Sequence, residues 1–133
     1  MASDDAQAPQ EWIARARFRQ LVAEALDGIP RRIRESVANV EIVVEDEPDE
    51  ETLRDLGYEP GQDTLLGLYQ GIPLEERVGN PPVLPDRIVI YYRPLIGLHH
   101  DEYHLRREIR RTVIHEIGHH FGFDDRHLRG RGF

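Results

Sequence analysis

The segment HEIGHHFGFDD, residues 115–125, constrains the fold of this chain more than any other part of its sequence. His115 and His119 are four residues apart, so a helix places them about 40° from each other on one face. A row of apolar residues with the same four-residue spacing begins at Val113 and lies on roughly the opposite side of that helix. We therefore expect a helix that packs through its apolar row and presents both histidines to one metal ion.

Carboxylates near the two histidines complete the candidate site. Glu116 lies about 100° around the helix from His115, which puts its carboxylate beside a metal ion, where a general base for a metal-bound water belongs. Catalytic zinc normally takes three protein ligands, and Gly122 can end the helix so that the chain turns back. Asp125, ten residues after His115, is the predicted third ligand, and Asp124 is the next-best carboxylate.

The remaining histidines are weaker candidates. His127 is a second choice as a ligand, whereas His99, His100 and His104 precede the site by two or more turns and are interpreted as surface or supporting groups. A helix end capped by protonated histidines is the non-catalytic alternative. That alternative explains neither Glu116 nor the spacing of the later glycine and carboxylate.

Length and composition restrict the fold and the kind of site. A chain of 133 residues suits one domain, which we expect at residues 9–133 after a loose polar tail at residues 1–8. The sequence contains no cysteine, so a metal must be held by His, Asp or Glu. No apolar run approaches a membrane span of about 18 residues, and no signal peptide is recognisable, so the cytoplasm is the expected compartment.

The charge pattern bears on possible partners. The formal net charge of -8 disfavours nucleic acid, although residues 106–111 and 126–131 are locally basic. The acidic run at residues 45–51 is interpreted as a solvated loop. Calcium binding there is the alternative, but the regular spacing of oxygen ligands in a calcium loop is missing.

Periodicity predicts the order of the elements. We expect a helix from residue 9 to about 26, a short helical segment near residues 30–36 and a long last helix that stops at Gly122. Strand-like runs rich in β-branched and aromatic residues occupy residues 37–48, 64–74 and 86–95. This order predicts a single α+β domain in which helices pack on a small sheet.

At this point the chain resembles a known family, the short bacterial zincin-like metallopeptidases sometimes called minimal zincins. The likeness extends over nearly the whole chain after about residue 17, through the blocks FRQLVAEALDGIP, NVEIVVEDEP, LLGLYQGIPL, DRIVIYYRPL and RRTVIHEIGHHFGFDD. The resemblance implies a small mixed sheet, an active-site helix near the C-terminus packed across it, and a cleft bounded by an edge strand. It also implies Zn²⁺ held by His115, His119 and Asp125, Glu116 as general base, and a peptide or protein substrate.

Two other functions stay open. A bacterial RNA-processing family has a similar motif, H-x-x-x-H followed by G-Y-D-H, but it has a third His where this chain has Asp125 and lacks a Glu beside the first His. The larger metzincin enzymes place a methionine turn beneath the metal, whereas the one methionine here is Met1, so a non-catalytic zinc-binding module is the third hypothesis. Neither the substrate-binding edge strand nor the oligomeric state follows from the sequence.

Overall fold

The computed structural model describes the protein at residues 11–36, 39–71 and 86–121. Within these ranges the chain forms five helices and three strands. The helices are α1 (Arg15–Asp27), α2 (Arg31–Ser36), α3 (Glu50–Asp55), α4 (Tyr92–Leu98) and α5 (Glu102–Phe121). The strands are β1 (Val40–Glu45), β2 (Gly67–Gln70) and β3 (Asp86–Tyr91). The predicted α+β class, a small mixed sheet with helices packed on it and the motif helix near the C-terminus, is confirmed.

The sheet has the order β1, β3, β2, with β3 in the centre. β1 runs parallel to β3, with Val40 opposite Asp86, and β2 runs antiparallel to it, with Gly67 opposite Ile90. The run IVI of β3 is fully buried, as expected for a strand with neighbours on both sides and helices on its faces. In the sheet that the described residues form, β2 is therefore an edge strand and β3 is not.

The core lies between the sheet and the helices α1, α4 and α5. Phe18 and Tyr92 meet edge to face, with their ring centroids 5.1 Å apart, and both are fully buried. The Tyr92 hydroxyl donates a hydrogen bond to the Ile13 carbonyl. Trp12 packs against this core and donates from Nε1 to the Ile96 carbonyl at 3.0 Å. Helix α1 and the residues just before it therefore pack on the core through aromatic side chains.

Strands β1 and β2 are shorter than the runs predicted for them at residues 37–48 and 64–74, and two further boundaries also differ. Helix α1 begins at Arg15, later than the predicted residue 9, because Trp12 is fixed by its bond to α4 rather than by a helical turn. The strand predicted at residues 86–95 ends at Tyr91, and α4 follows directly. Pro94 is tolerated because it is the third residue of α4, where a backbone N–H has no intrahelical partner.

The sequence predicts the acidic run at residues 45–51 as a loop, but its last two residues form the start of helix α3. Asp49 accepts a hydrogen bond from the Thr52 N–H at 2.7 Å and so caps α3, and Glu50 and Glu51 occupy the first turn. Carboxylates are favourable there because the helix dipole is positive at its N-terminus. None of the helices in the described ranges combines the length and apolar composition needed to cross a bilayer.

Candidate metal centre and substrate cleft

Helix α5 carries the motif and begins at a capping carboxylate. Asp101 accepts a hydrogen bond from the His104 N–H at 2.8 Å, and the His104 ring nitrogen lies within 2.9 Å of the same carboxylate. These contacts hold the pKa of Asp101 below its ordinary value. The N-terminus of the long helix is therefore fixed by a charged cap well before the motif.

The two sides of α5 have different environments. Val113 and Ile117 are almost fully buried, with 1% of each residue exposed. His115 and His119 are exposed on the other side, and Glu116 is half-buried between these environments. The helix therefore presents both imidazoles outward from one face, as a pair that shares one metal ion requires.

The predicted third ligand lies outside the described residues, as do the alternative carboxylate Asp124, the turn at Gly122 and His127. The described residues contain no group of three or more His, Asp or Glu side chains that could hold a metal. This result also gives no support to calcium binding by the acidic residues 45–51. The donors that are described, two imidazoles with a neighbouring carboxylate, fit zinc chemically.

Glu116 is tied to the edge strand. Its Oε1 accepts a hydrogen bond from the Tyr69 backbone N–H at 2.8 Å, across 47 residues of sequence. Just before β2, the Leu66 carbonyl accepts a hydrogen bond from the Tyr91 N–H at 3.0 Å. In an antiparallel pair, alternate residues direct their N–H and C=O groups toward the neighbouring strand, so Gly67 and Tyr69 direct theirs away from β3. The carboxylate expected to act as a base is therefore held at the outer edge of the sheet.

Gly67 allows this close approach of β2 to α5. A Cβ atom at Gly67 would lie 2.6 Å from the Thr112 Cγ2 and 3.0 Å from the Val89 carbonyl oxygen. No side chain fits there without movement of the strand or the helix. Only the packed structure reveals this requirement, since Gly67 lies within an apolar run and carries no turn signal.

A cleft of about 320 Å³ opens between the start of β2 and the exposed side of α5. Residues 64–67 form one wall, and the other wall consists of Glu108, Arg111, Thr112, His115 and Glu116. The cleft therefore lies at the start of the edge strand and reaches the first histidine of the motif. Arg111 is the cleft residue that the motif-based reasoning missed, although its position four residues before His115 places it on the same face.

The histidines that precede the motif contact other groups. His99 Nε2 lies 3.0 Å from Glu108 Oε1, and His104 lies 2.8 Å from Asp101. The His99 and His104 rings also stack, with centroids 5.9 Å apart, and His100 lies against an aromatic ring of the N-terminal region. These contacts agree with surface or supporting roles.

The basic stretch at residues 106–111 divides between two sides of the helix. Arg106 donates to Glu24 of α1 at 2.9 Å, and Arg110 packs against Gly28 at the end of α1. Both lie far around the helix from His115, by about 180° and 140°. Two of the four arginines of this stretch therefore contact α1 instead of the metal face.

Comparison with known proteins identifies the family. The sequence profile described as zincin-like metallopeptidase matches residues 37–132, and the chain belongs to this family. Membership implies a metallopeptidase class of activity and a bound metal, typically zinc. No functionally curated protein matches the chain.

A solved structure has a similar fold. It is a conserved hypothetical protein from Thermus thermophilus, which is 22% identical in sequence and superimposes with a TM-score of 0.51. The match covers 89% of this chain and 99% of that chain. At this identity the likeness supports the fold alone.

Proposed function

We propose that this protein hydrolyses peptide bonds with zinc held by His115, His119 and Asp125 and with Glu116 as general base. Family membership supports the class of reaction. The observation that carries the assignment of the base is the 2.8 Å hydrogen bond between Glu116 and the Tyr69 N–H. It holds the carboxylate at the cleft that His115 also lines, and beside the strand along which an extended peptide can lie.

The chemistry then divides between the metal and the chain. Zinc supplies, when bound, the Lewis acidity that acidifies a water molecule and polarises a peptide carbonyl. Glu116 accepts the proton of that water and later delivers a proton to the leaving amine. The Tyr69 N–H keeps one carboxylate oxygen oriented, so the other oxygen is left for proton transfer.

The edge strand supports the proposed substrate class. An extended peptide can add beside β2 through main-chain hydrogen bonds to Gly67, whose backbone groups point away from β3, next to the Tyr69 N–H that is bonded to Glu116. Backbone pairing of this kind selects an extended chain with little dependence on its side chains. The proposed substrate is therefore an exposed, unfolded peptide segment rather than a folded surface.

The test compares wild-type protein with Glu116→Gln, both of confirmed zinc content, on a diverse peptide mixture read by mass spectrometry for new termini. We expect wild-type cleavage, and a loss of at least about a hundredfold in the variant, because general bases contribute rate factors of that size. Glu51→Gln, the same chemical change in the first turn of α3, is the matched control and should cleave like wild type. Equal cleavage by wild type and Glu116→Gln would refute the assignment of the base.

A wild type that retains zinc and cleaves no peptide would refute peptide hydrolysis. A parallel incubation with structured and single-stranded RNA then decides between the two other hypotheses. Metal-dependent RNA cleavage would identify a nuclease, and its absence would leave a non-catalytic zinc-binding module.

A further inference from the structure

The cleft beside the candidate site contains a cation that no neighbour in the described ranges neutralises. Glu108 is already engaged, with its Oε1 3.0 Å from His99 Nε2 and only 15% of its side chain exposed. Arg111 is exposed, and within the described parts of the chain its guanidinium has no hydrogen bond or ion pair. By contrast, Arg17 and Arg106 both form ion pairs with carboxylates.

The direction of the edge strand shows how the cleft is oriented. Gly67 faces Thr112, and the next outward-facing residue, Tyr69, bonds to Glu116. Strand β2 and helix α5 therefore run in the same sense. Residues 64–66, which precede this strand, lie toward the N-terminal part of the helix, and they line the cleft together with its residues there.

This direction determines which part of a bound peptide reaches Arg111. A peptide paired antiparallel to β2, the slightly more stable arrangement, runs from the His119 side of the site toward residues 64–66. Arg111 lies four residues before His115, about 6 Å along the helix axis. An extended peptide covers that distance with roughly two residues, so Arg111 lies near the second residue after the scissile bond.

We propose that Arg111 binds a carboxylate of the substrate on the C-terminal side of the scissile bond, within about two residues of it. The proposal rests on the proposed peptidase function and adds the selected substrate group. A guanidinium binds a carboxylate through two parallel hydrogen bonds. The carboxylate is either an Asp or Glu side chain or the free C-terminus of the peptide.

The experiment uses short peptides of Ala, Leu and Ser with one position occupied by Glu or by its neutral isostere Gln. That position is moved along the peptide, and each peptide is made with a free or an amidated C-terminus. We expect cleavage before the Glu or before a free C-terminus, with kcat/KM about fivefold higher than for the neutral peptide, the effect of an accessible ion pair. If replacement of Glu by Gln lowers kcat/KM, the bound carboxylate is the side chain. If amidation lowers kcat/KM, the bound carboxylate is the free C-terminus.

Variants connect this preference to one side chain. Arg111→Gln should reduce the ratio of acidic to neutral kcat/KM to about one, Arg111→Lys should keep part of it, and Arg111→Glu should reverse it. Arg107→Gln is the matched control, because Arg107 is exposed on the same helix but lies against Tyr103 outside the cleft. A preference that survives in Arg111→Gln, or an acidic residue selected before the scissile bond, would overturn the proposal.

A binding measurement separates failure of this inference from failure of the peptidase function. Zinc-loaded Glu116→Gln protein is titrated with the same peptides carrying a fluorescent label. Tighter binding of the acidic peptide that is lost in the Glu116→Gln/Arg111→Gln double variant supports carboxylate recognition even when wild type cleaves nothing. Equal binding of acidic and neutral peptides would refute it even when wild type cleaves both.

Discussion

Replacement of Gly67 by alanine tests whether the approach of β2 to α5 sets both the stability of the domain and the position of the base. The added Cβ would lie 2.6 Å from the Thr112 Cγ2 and 3.0 Å from the Val89 carbonyl oxygen. Both distances are shorter than a van der Waals contact, so the strand must move. Overpacking of this kind costs about 2 kcal/mol, which corresponds to a fall in Tm of about 8 °C for a domain of this size.

Thr112→Ser provides the matched rescue. It removes the methyl group that the new Cβ meets, and it keeps the hydroxyl that donates to the Glu108 carbonyl at 2.8 Å. Alone it should cost about 1 kcal/mol, as the loss of a buried methyl group does. The double variant with Gly67→Ala should be about 1 kcal/mol more stable than the sum of the two single losses predicts. The recovery is partial because the contact of the new Cβ with the Val89 carbonyl remains.

The assay is urea unfolding followed by circular dichroism, at one fixed zinc concentration because bound metal adds to stability. The proposed function adds a second expectation. A displaced β2 lengthens the bond from the Tyr69 N–H to Glu116, so kcat should fall in Gly67→Ala while zinc content is retained. Additive free energies in the double variant would refute the contact argument, and an unchanged kcat would refute the positioning of the base by β2.

Three further predictions concern buried hydroxyls and the third ligand. Tyr92→Phe leaves the Ile13 carbonyl without its buried donor and should cost about 1–3 kcal/mol in urea unfolding; a loss below about 0.5 kcal/mol would contradict this. Burial raises the pKa of Tyr91 from 10.0 to about 12, so its neutral form stabilises the fold fully below about pH 10 and that contribution is lost as the pH rises toward 12. In Tyr91→Phe, an absorbance titration should show one phenol fewer ionising near pH 12. An unchanged titration curve would mean that the raised pKa belongs to another group. Asp125→Asn should weaken zinc binding by at least about tenfold and Asp124→Asn should not, since three ligands hold catalytic zinc; the reverse order in a competition titration would make Asp124 the ligand.

The sequence alone determined those features that depend on local spacing. A period of four residues places His115 and His119 on one side of a helix and Val113 and Ile117 on the other, and the structure has this division. The run rich in β-branched residues that begins at Asp86 likewise predicted a strand. These predictions succeed because helix and strand periodicities are properties of the backbone, independent of the rest of the fold.

Local pattern was less informative where tertiary contacts override propensity. The run YYRPL has the composition of a strand, yet most of it forms the start of α4 because Tyr92, Leu95 and Ile96 become buried on one side of a helix. The capped helix α3 does not follow from composition, because an acidic run resembles a loop until Asp49 is recognised as its N-cap. In both cases the neighbouring chain, rather than the segment, decides the conformation.

Only the tertiary structure decided what surrounds the motif. Strand order makes β2 an edge among the described strands, and the bond from Tyr69 to Glu116 joins groups that are 47 residues apart in sequence. Gly67 and Arg111 acquire their importance from the same meeting of strand and helix. No periodicity encodes such a contact, because its distance depends on how the sheet and α5 pack against a shared core.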